Sequence, residues 1–418
     1  MDSETNARVR GAWNVARAEP RRPSAKHAYT FVQTALILAL FSALSLSASP
    51  AQAQTETVIY SFNGYPDGAY PQSGLVSDAA GNFYGTTENG GVGYLTYGYG
   101  TVYELSTNGG GGWTENVLYR FTGGTDGAYP IGPLIVDSEG NLYGTTYQGG
   151  ANGYGVVFEL SPVGPNWTET VLYSFASGTD GANPENGLIM DPAGNLYGTT
   201  SHGGNGLGVV FELSPSPDGW TEQIIYSGAQ GLTMDGAGNI FAVGGMTLFE
   251  LSPNDSGGWT PTVIHTFYGG TKDGYGPDGT VALDKAGNIY GTTFYGGLQA
   301  SGTIYKLTYS KKKGWIEKLL FSFKGGKGGL YPYAGVVLDP AGNLYGTTIG
   351  GFKTDAGTAY ELALVGKAAY RIKILSYFTG ANGSVPMGRL ILNSAGNLYG
   401  TTSGGGNYRA GAVYQITP

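Results

Sequence analysis

The side chains in this sequence best suited to chemistry are aspartates and tyrosines that recur in one motif. Asp-Gly-Ala-x-Pro, or a close variant, supplies Asp126 with Tyr129, then Asp180, then Asp273 with Tyr275; Tyr331 holds the matching place before Pro332. Tyr147 follows a Thr-Thr pair in the glycine-rich stretch after the first of these. Flat amphipathic rings beside carboxylates bind sugars, by stacking and by hydrogen bonds to hydroxyls. Two carboxylates flanking a glycosidic bond would also serve acid–base cleavage, although no spacing singles out a pair. Alternatively the motif is a repeated turn, with aspartate capping backbone N–H groups and Gly and Pro setting the bend. Repetition favours the turn, because a ligand site usually departs from the repeat that carries it.

Other chemistries are poorly supplied. The chain has no cysteine, which removes thiol catalysis and cysteine-based metal sites. His202 and His265 fall in different repeats, so a multi-histidine centre is not expected and neither metal nor cofactor is assigned. No Gly-x-Ser-x-Gly elbow marks a nucleophile. The run Gly109-Gly110-Gly111-Gly112 leads into Trp113 and a strand pattern, where a phosphate loop would lead into a helix.

The elements that must position these residues follow from an internal repeat. Gly-Asn-(Leu/Ile/Phe)-(Tyr/Phe) recurs with its Asn at 82, 141, 195, 239, 288, 343 and 397, at spacings of 59, 54, 44, 49, 55 and 54 residues. Each copy divides into four strand patterns rich in β-branched and aromatic residues. In the second copy these are 133–137, 141–146, 155–160 and 168–175, with tight turns expected at 137–140 and 161–166. A four-stranded unit of this length is a propeller blade. The last copy supplies strands at 388–393, 397–402 and 411–416 but no fourth, whereas 57–62 reads as a fourth strand with no blade of its own. The expected fold is therefore all-β: a seven-bladed β-propeller, four antiparallel strands per blade, closed by its N-terminal strand joining the last blade.

Strand alternation sends the loops between blades and the loops between second and third strands to one face, which becomes rich in tyrosine and acid. The fourth copy departs from the others. Phe241-Ala242-Val243-Gly244-Gly245 replaces the Thr-Thr segment, and the loop before it shrinks to Ser227-Gly228-Ala229-Gln230. Two short loops there would notch the rim and open the central channel.

Residues 1–53 differ from the rest. Arg8, Arg10, Arg17, Arg21, Arg22 and Lys26 precede an apolar run, 31–46, and then Ala51-Gln52-Ala53, the pattern of a cleaved secretory signal peptide, with an uncleaved N-terminal anchor as the alternative. Cleavage leaves 16 of the 22 Lys and Arg and 27 of the 30 Asp and Glu, a formal charge of −11 on a single domain, 55–418. Such a surface repels nucleic acid and anionic membranes. Secretion or a periplasmic location, and a monomer, are expected.

The set Val-Phe-Glu-Leu-Ser-Pro, Val-Leu-Tyr-Ser-Phe, Asp-Gly-Ala-x-Pro and Gly-Asn-Leu-Tyr-Gly-Thr-Thr resembles the GloVer, or choice-of-anchor, tandem repeat of exported bacterial proteins, over nearly all of 55–418. The resemblance supports the propeller. Members often end in a surface-anchoring segment, and the lack of one after Pro418 implies a free secreted or periplasmic protein. No activity comes with the resemblance. The function expected from the residues is non-catalytic binding of an extracellular polysaccharide or surface protein by the Tyr/Asp-rich face. A carbohydrate-active hydrolase or lyase using loop carboxylates, or a purely structural scaffold, are the alternatives.

Overall fold

The computed structural model describes residues 55–91, 98–351, 355–366 and 369–418; the expected signal peptide lies outside them. Its strands form seven four-stranded antiparallel sheets. Six are continuous in the chain, at 76–120, 135–174, 189–227, 230–266, 274–322 and 337–377. The seventh takes three strands from 391–417 and its outermost from Thr55–Ser61, which pairs with Ala412–Thr417 from Thr55↔Thr417 to Ser61↔Ala412. The propeller closes as the two orphan segments require.

Strand lengths differ from expectation at both ends of a blade. The innermost strand of blade two is only Ile135–Val136. Pro133 has no N–H to donate, and a Cβ on Gly132 would lie 2.7 Å from the Asn186 carbonyl. Here the backbone packs against the next blade instead of extending its own ladder. The third strand, Val156–Val163, runs further than expected, and places Pro162 opposite Trp167, so the turn shrinks to two residues.

Each blade buries both faces against its neighbours, and aromatic side chains form the contact. The Phe ending a fourth strand meets the aromatic of the next blade's third strand edge-on: Phe62 with Tyr103 at 4.9 Å, Phe121 with Phe158 at 5.2 Å, Phe175 with Phe211 at 5.1 Å. Such pairs add about 0.5–1.5 kcal/mol beyond area burial. The glycine of each second strand makes room for that ring, since a Cβ on Gly144 would stand 2.6 Å from Phe158 Cζ. Blade four breaks the pattern. Ala242 replaces the glycine, Gly228 replaces the preceding Phe, and Phe249 meets Tyr226 at 5.2 Å instead.

The repeated Thr-Thr has two separate duties. The first threonine donates to the next blade's inner strand, as in Thr86 Oγ1 to the Gly132 carbonyl at 3.2 Å and Thr401 Oγ1 to the Ser73 carbonyl at 2.6 Å, which crosses the ring closure. The second stays within its blade, with Thr87 Oγ1 2.8 Å from Thr101 Oγ1. Buried hydroxyls paired in this way avoid the cost of an unsatisfied polar group.

Candidate functional site

The loops of interest gather on one face, as strand direction requires. Backbone bridges tie the interblade loop to the loop after the second strand in blades one, two, three, six and seven: Ala69 to Asn89, Ala128 to Gln148, Ala182 to His202, Leu330 to Gly350 and Ser384 to Gly404.

Within those loops the aspartates are turn caps. Asp126 accepts from Thr122 N at 2.7 Å, Thr122 Oγ1 at 2.6 Å and the Tyr119 hydroxyl at 3.2 Å. Asp180 accepts from Ala176 N and the Tyr173 hydroxyl. Asp273 accepts from Tyr268 N at 2.7 Å. The tyrosines divide. Tyr331 stacks on Phe294 at 4.9 Å with the rings 5° from parallel, and Tyr275 is exposed beside Tyr295. Tyr129 and Tyr147 instead line a cavity of about 930 Å³ at the mouth of the central channel, to which all seven blades contribute. Of the seven residues singled out by sequence, the channel brings together these two. Asp126, Asp180, Asp273, Tyr275 and Tyr331 are absent from its lining.

The rest of the wall comes from a position that sequence reasoning passed over. The residue directly after the proline of the repeat motif points to the channel in every blade that has the motif: Gln72, Ile131, Glu185, Asp278, Tyr333 and Met387, with Gln230 closing the ring from blade four. The repeat gives this position no common residue type. The backbone before it is held unusually. Tyr70, Tyr129, Asn183, Tyr331 and Val385 each precede the proline at φ between 56° and 60°, a region costly for any residue with a Cβ and most for a β-branched one. In blade five that place is taken by Gly276, which leaves Tyr275 one residue outside the register and in solvent.

Charge converges within the ring. Burial pushes the Asp278 carboxyl up to about 6, against the bond it accepts from Gly279 N at 2.7 Å. Burial, then the charges of Asp278 and Glu185, push the Tyr333 hydroxyl up, so side chains from blades three, five and six share one field. Gln72 donates to Glu88, in the neighbouring loop of blade one. Deeper in lies Arg389, at a position that is Gly74, Gly187 and Gly335 in other blades. Its Nη2 donates to the Val336 carbonyl at 3.0 Å, its Nε has no hydrogen-bond partner, and no ion pair reaches it among the described residues. The cavity is thus a cup with amide, carboxyl and phenol groups on the wall and a guanidinium at the floor. Such a set can hold a polyhydroxylated ligand by many directed hydrogen bonds.

With fold and cup described, comparison with known proteins adds the family. The Gloeobacter/Verrucomicrobia repeat matches residues 46–246 and again 231–418. The chain belongs to this family. The two matches overlap and together cover all seven blades of this Gloeobacter/Verrucomicrobia repeat protein. No curated protein matches its sequence. Among solved structures, virginiamycin B lyase from Staphylococcus aureus is similar, with a TM-score of 0.53 at 14% identity over 87% of this chain and 99% of that one. The extracellular domain assigned to a hybrid two-component system of B. thetaiotaomicron gives a TM-score of 0.55 at 10% identity, over 86% of this chain and 39% of that one. At such identities the likeness is one of fold. Among the described residues, no helix is long and apolar enough to cross a membrane.

Proposed function

We propose that this repeat protein is exported and binds an extracellular glycan without cleaving it, holding the sugar in the cup at the channel mouth. The observation that carries this is the ring of Gln72, Ile131, Glu185, Gln230, Asp278, Tyr333 and Met387: the position aimed at the cavity is the one the repeat leaves free to vary. Tyr129, Tyr147 and Tyr333 offer faces for stacking, while Gln72, Gln148 and Gln230 offer both donors and acceptors to hydroxyls. The two-residue turn of blade four, between Thr247–Pro253 and the strand before it, lowers the wall on that side and gives the ligand its way in.

One observation favours a second reading, a carbohydrate-active hydrolase or lyase. Asp278, which burial raises to about 6, shares the cup with a second carboxyl, Glu185, and a pair of carboxyls is what acid–base cleavage uses. The experiment that separates the two presents residues 54–418 to an array of plant and microbial polysaccharides and records binding and release of reducing ends together. Binding without release supports the first; release with loss in Asp278→Asn supports the second. Absence of both leaves the scaffold role.

A further inference from the structure

The seams between blades carry a second recurring group, far simpler than the cup. At three of them a tyrosine of one fourth strand, an aspartate of the following loop and a glutamate of the next fourth strand come together: Tyr60, Asp67 and Glu115; Tyr119, Asp126 and Glu169; Tyr173, Asp180 and Glu222. In all three the tyrosine hydroxyl donates to the aspartate, so that carboxylate has its proton donor. At the seam where the tyrosine position is Phe321 and the loop position Gly328, the glutamate position is Ile372, so there all three polar members are lost.

The seam between blades four and five keeps both carboxyls but changes the third member. His265 stands in the tyrosine place, with Asp273 and Glu317 completing the group, and one ligand atom from each lies within 4.8 Å of the others. His265 Nε2, Asp273 Oδ1 and Glu317 Oε1 are all shielded from solvent, and none has a hydrogen-bond partner among the described residues. The Nε2–Oδ1 separation is 3.7 Å. That is too long for a hydrogen bond. Two atoms about 2.0–2.1 Å from one ion at tetrahedral to trigonal angles stand about 3.3–3.6 Å apart, so an inward shift of a few tenths of an ångström brings both to ligand distance. An imidazole nitrogen with two carboxylate oxygens is a ligand set suited to zinc and similar divalent first-row ions. Phe267, edge-on to the imidazole at 4.6 Å, limits its rotation.

We infer that His265, Asp273 and Glu317 form a binding site for a divalent transition-metal ion of the zinc class, which fastens blade four to blade five. Blade four lacks the Thr-Thr pair that reaches the next blade elsewhere; this seam keeps Phe267 against Tyr305 at 4.8 Å and the Thr233 Oγ1 bond to the Val281 carbonyl at 2.9 Å, and the ion adds a further link beside them.

The test is titration of Zn²⁺ into the chelator-treated full chain, by calorimetry and by melting. One equivalent is expected to bind and to raise the melting temperature. His265→Tyr, which restores the residue of the sister seams, is expected to weaken zinc binding by more than about tenfold while melting in chelator no lower than wild type. Should that variant not fold, the isosteric Glu317→Gln carries the test by the same criterion for zinc. No uptake by wild type, or uptake unchanged in the variant, as binding through His202 would give, overturns the inference.

Discussion

The Tyr60 hydroxyl donates to Asp67 Oδ2 at 2.6 Å, joining the ring-closing strand to the loop that begins blade one. Glu115 Oε2, from the fourth strand of blade one, stands 3.5 Å from the same hydroxyl. Copies of this arrangement explain why the repeated aspartates are plentiful in the loops without lining the cup. The aspartates fold the loop and fasten the seam, and a glutamate is buried behind them.

Burial, with the adjacent aspartate second, raises each of Glu115, Glu169 and Glu222 to about 7. A folded state that holds these protons above the unfolded value of 4.5 gains stability at low pH and loses it as pH rises through about 7. The hairpin aspartates act in the opposite sense. Burial pushes Asp137 and Asp191 up, but bonds from Asn141 and Asn195 outweigh it and hold both below 3.8, so their contribution is lost on strong acidification. Melting temperature should therefore peak between pH 4.5 and 7 and fall towards pH 8. Glu169→Gln should flatten that fall, and a melting temperature that rises from pH 5 to 8 would refute the assignment.

Each blade's first hairpin rests on one acceptor. Asp191 Oδ1 takes Ala193 N at 2.8 Å and Asn195 N at 2.9 Å, while Oδ2 takes Asn195 Nδ2 at 2.8 Å and the Tyr197 hydroxyl at 3.1 Å. Blade seven has Asn393 in this place and keeps both backbone bonds. Asp191→Asn should cost less than about 1 kcal/mol and Asp191→Ala about 1–3 kcal/mol, measured by urea unfolding. Equal costs would mean that the acceptor is not what matters.

Gly144→Ala should cost about 1–3 kcal/mol, because the new methyl meets Phe158 Cζ and Leu134 Cδ2 in a filled seam. Blade four shows the accommodation required: with Ala242 in the glycine's place, Phe249 is only partly buried, whereas Phe158 is wholly so. Adding Phe158→Leu to Gly144→Ala should recover part of the loss. A double variant less stable than either single one would contradict the packing explanation.

Asp126→Asn should separate stability from binding. It weakens the bonds from Thr122 and Tyr119, so melting temperature falls, while glycan binding at the channel stays as in wild type. Loss of binding at unchanged stability would return Asp126 to the site.

Much of this fold was legible in the sequence because its determinants are repeated. Seven Gly-Asn segments at near-constant spacing gave the blades, and the unmatched strands at the two ends gave the closure. The inner strands were overestimated because apolar residues such as Leu134 pack against the neighbouring blade while the backbone around Gly132 leaves the ladder. The site was less legible for the opposite reason. Asp126, Asp180 and Asp273 stood out through repetition, and repetition is what turn caps show. Glu185, Asp278 and Tyr333 carry no motif, and the signal available was their variability directly after an otherwise constant proline. Arg389 could be sensed only as a bulky residue where Gly74, Gly187 and Gly335 stand, and its place at the channel floor depends on the closed ring.

The measurement that bears most directly on the central claim compares wild type with Glu185→Gln and Tyr333→Ala on the polysaccharide array, with melting curves recorded for each. The account predicts that wild type binds a glycan without releasing reducing ends, and that both ring variants lose binding while melting within about 2 °C of wild type, as surface-type substitutions do. Binding that survives both substitutions, or no glycan binding by the wild-type chain, would contradict it.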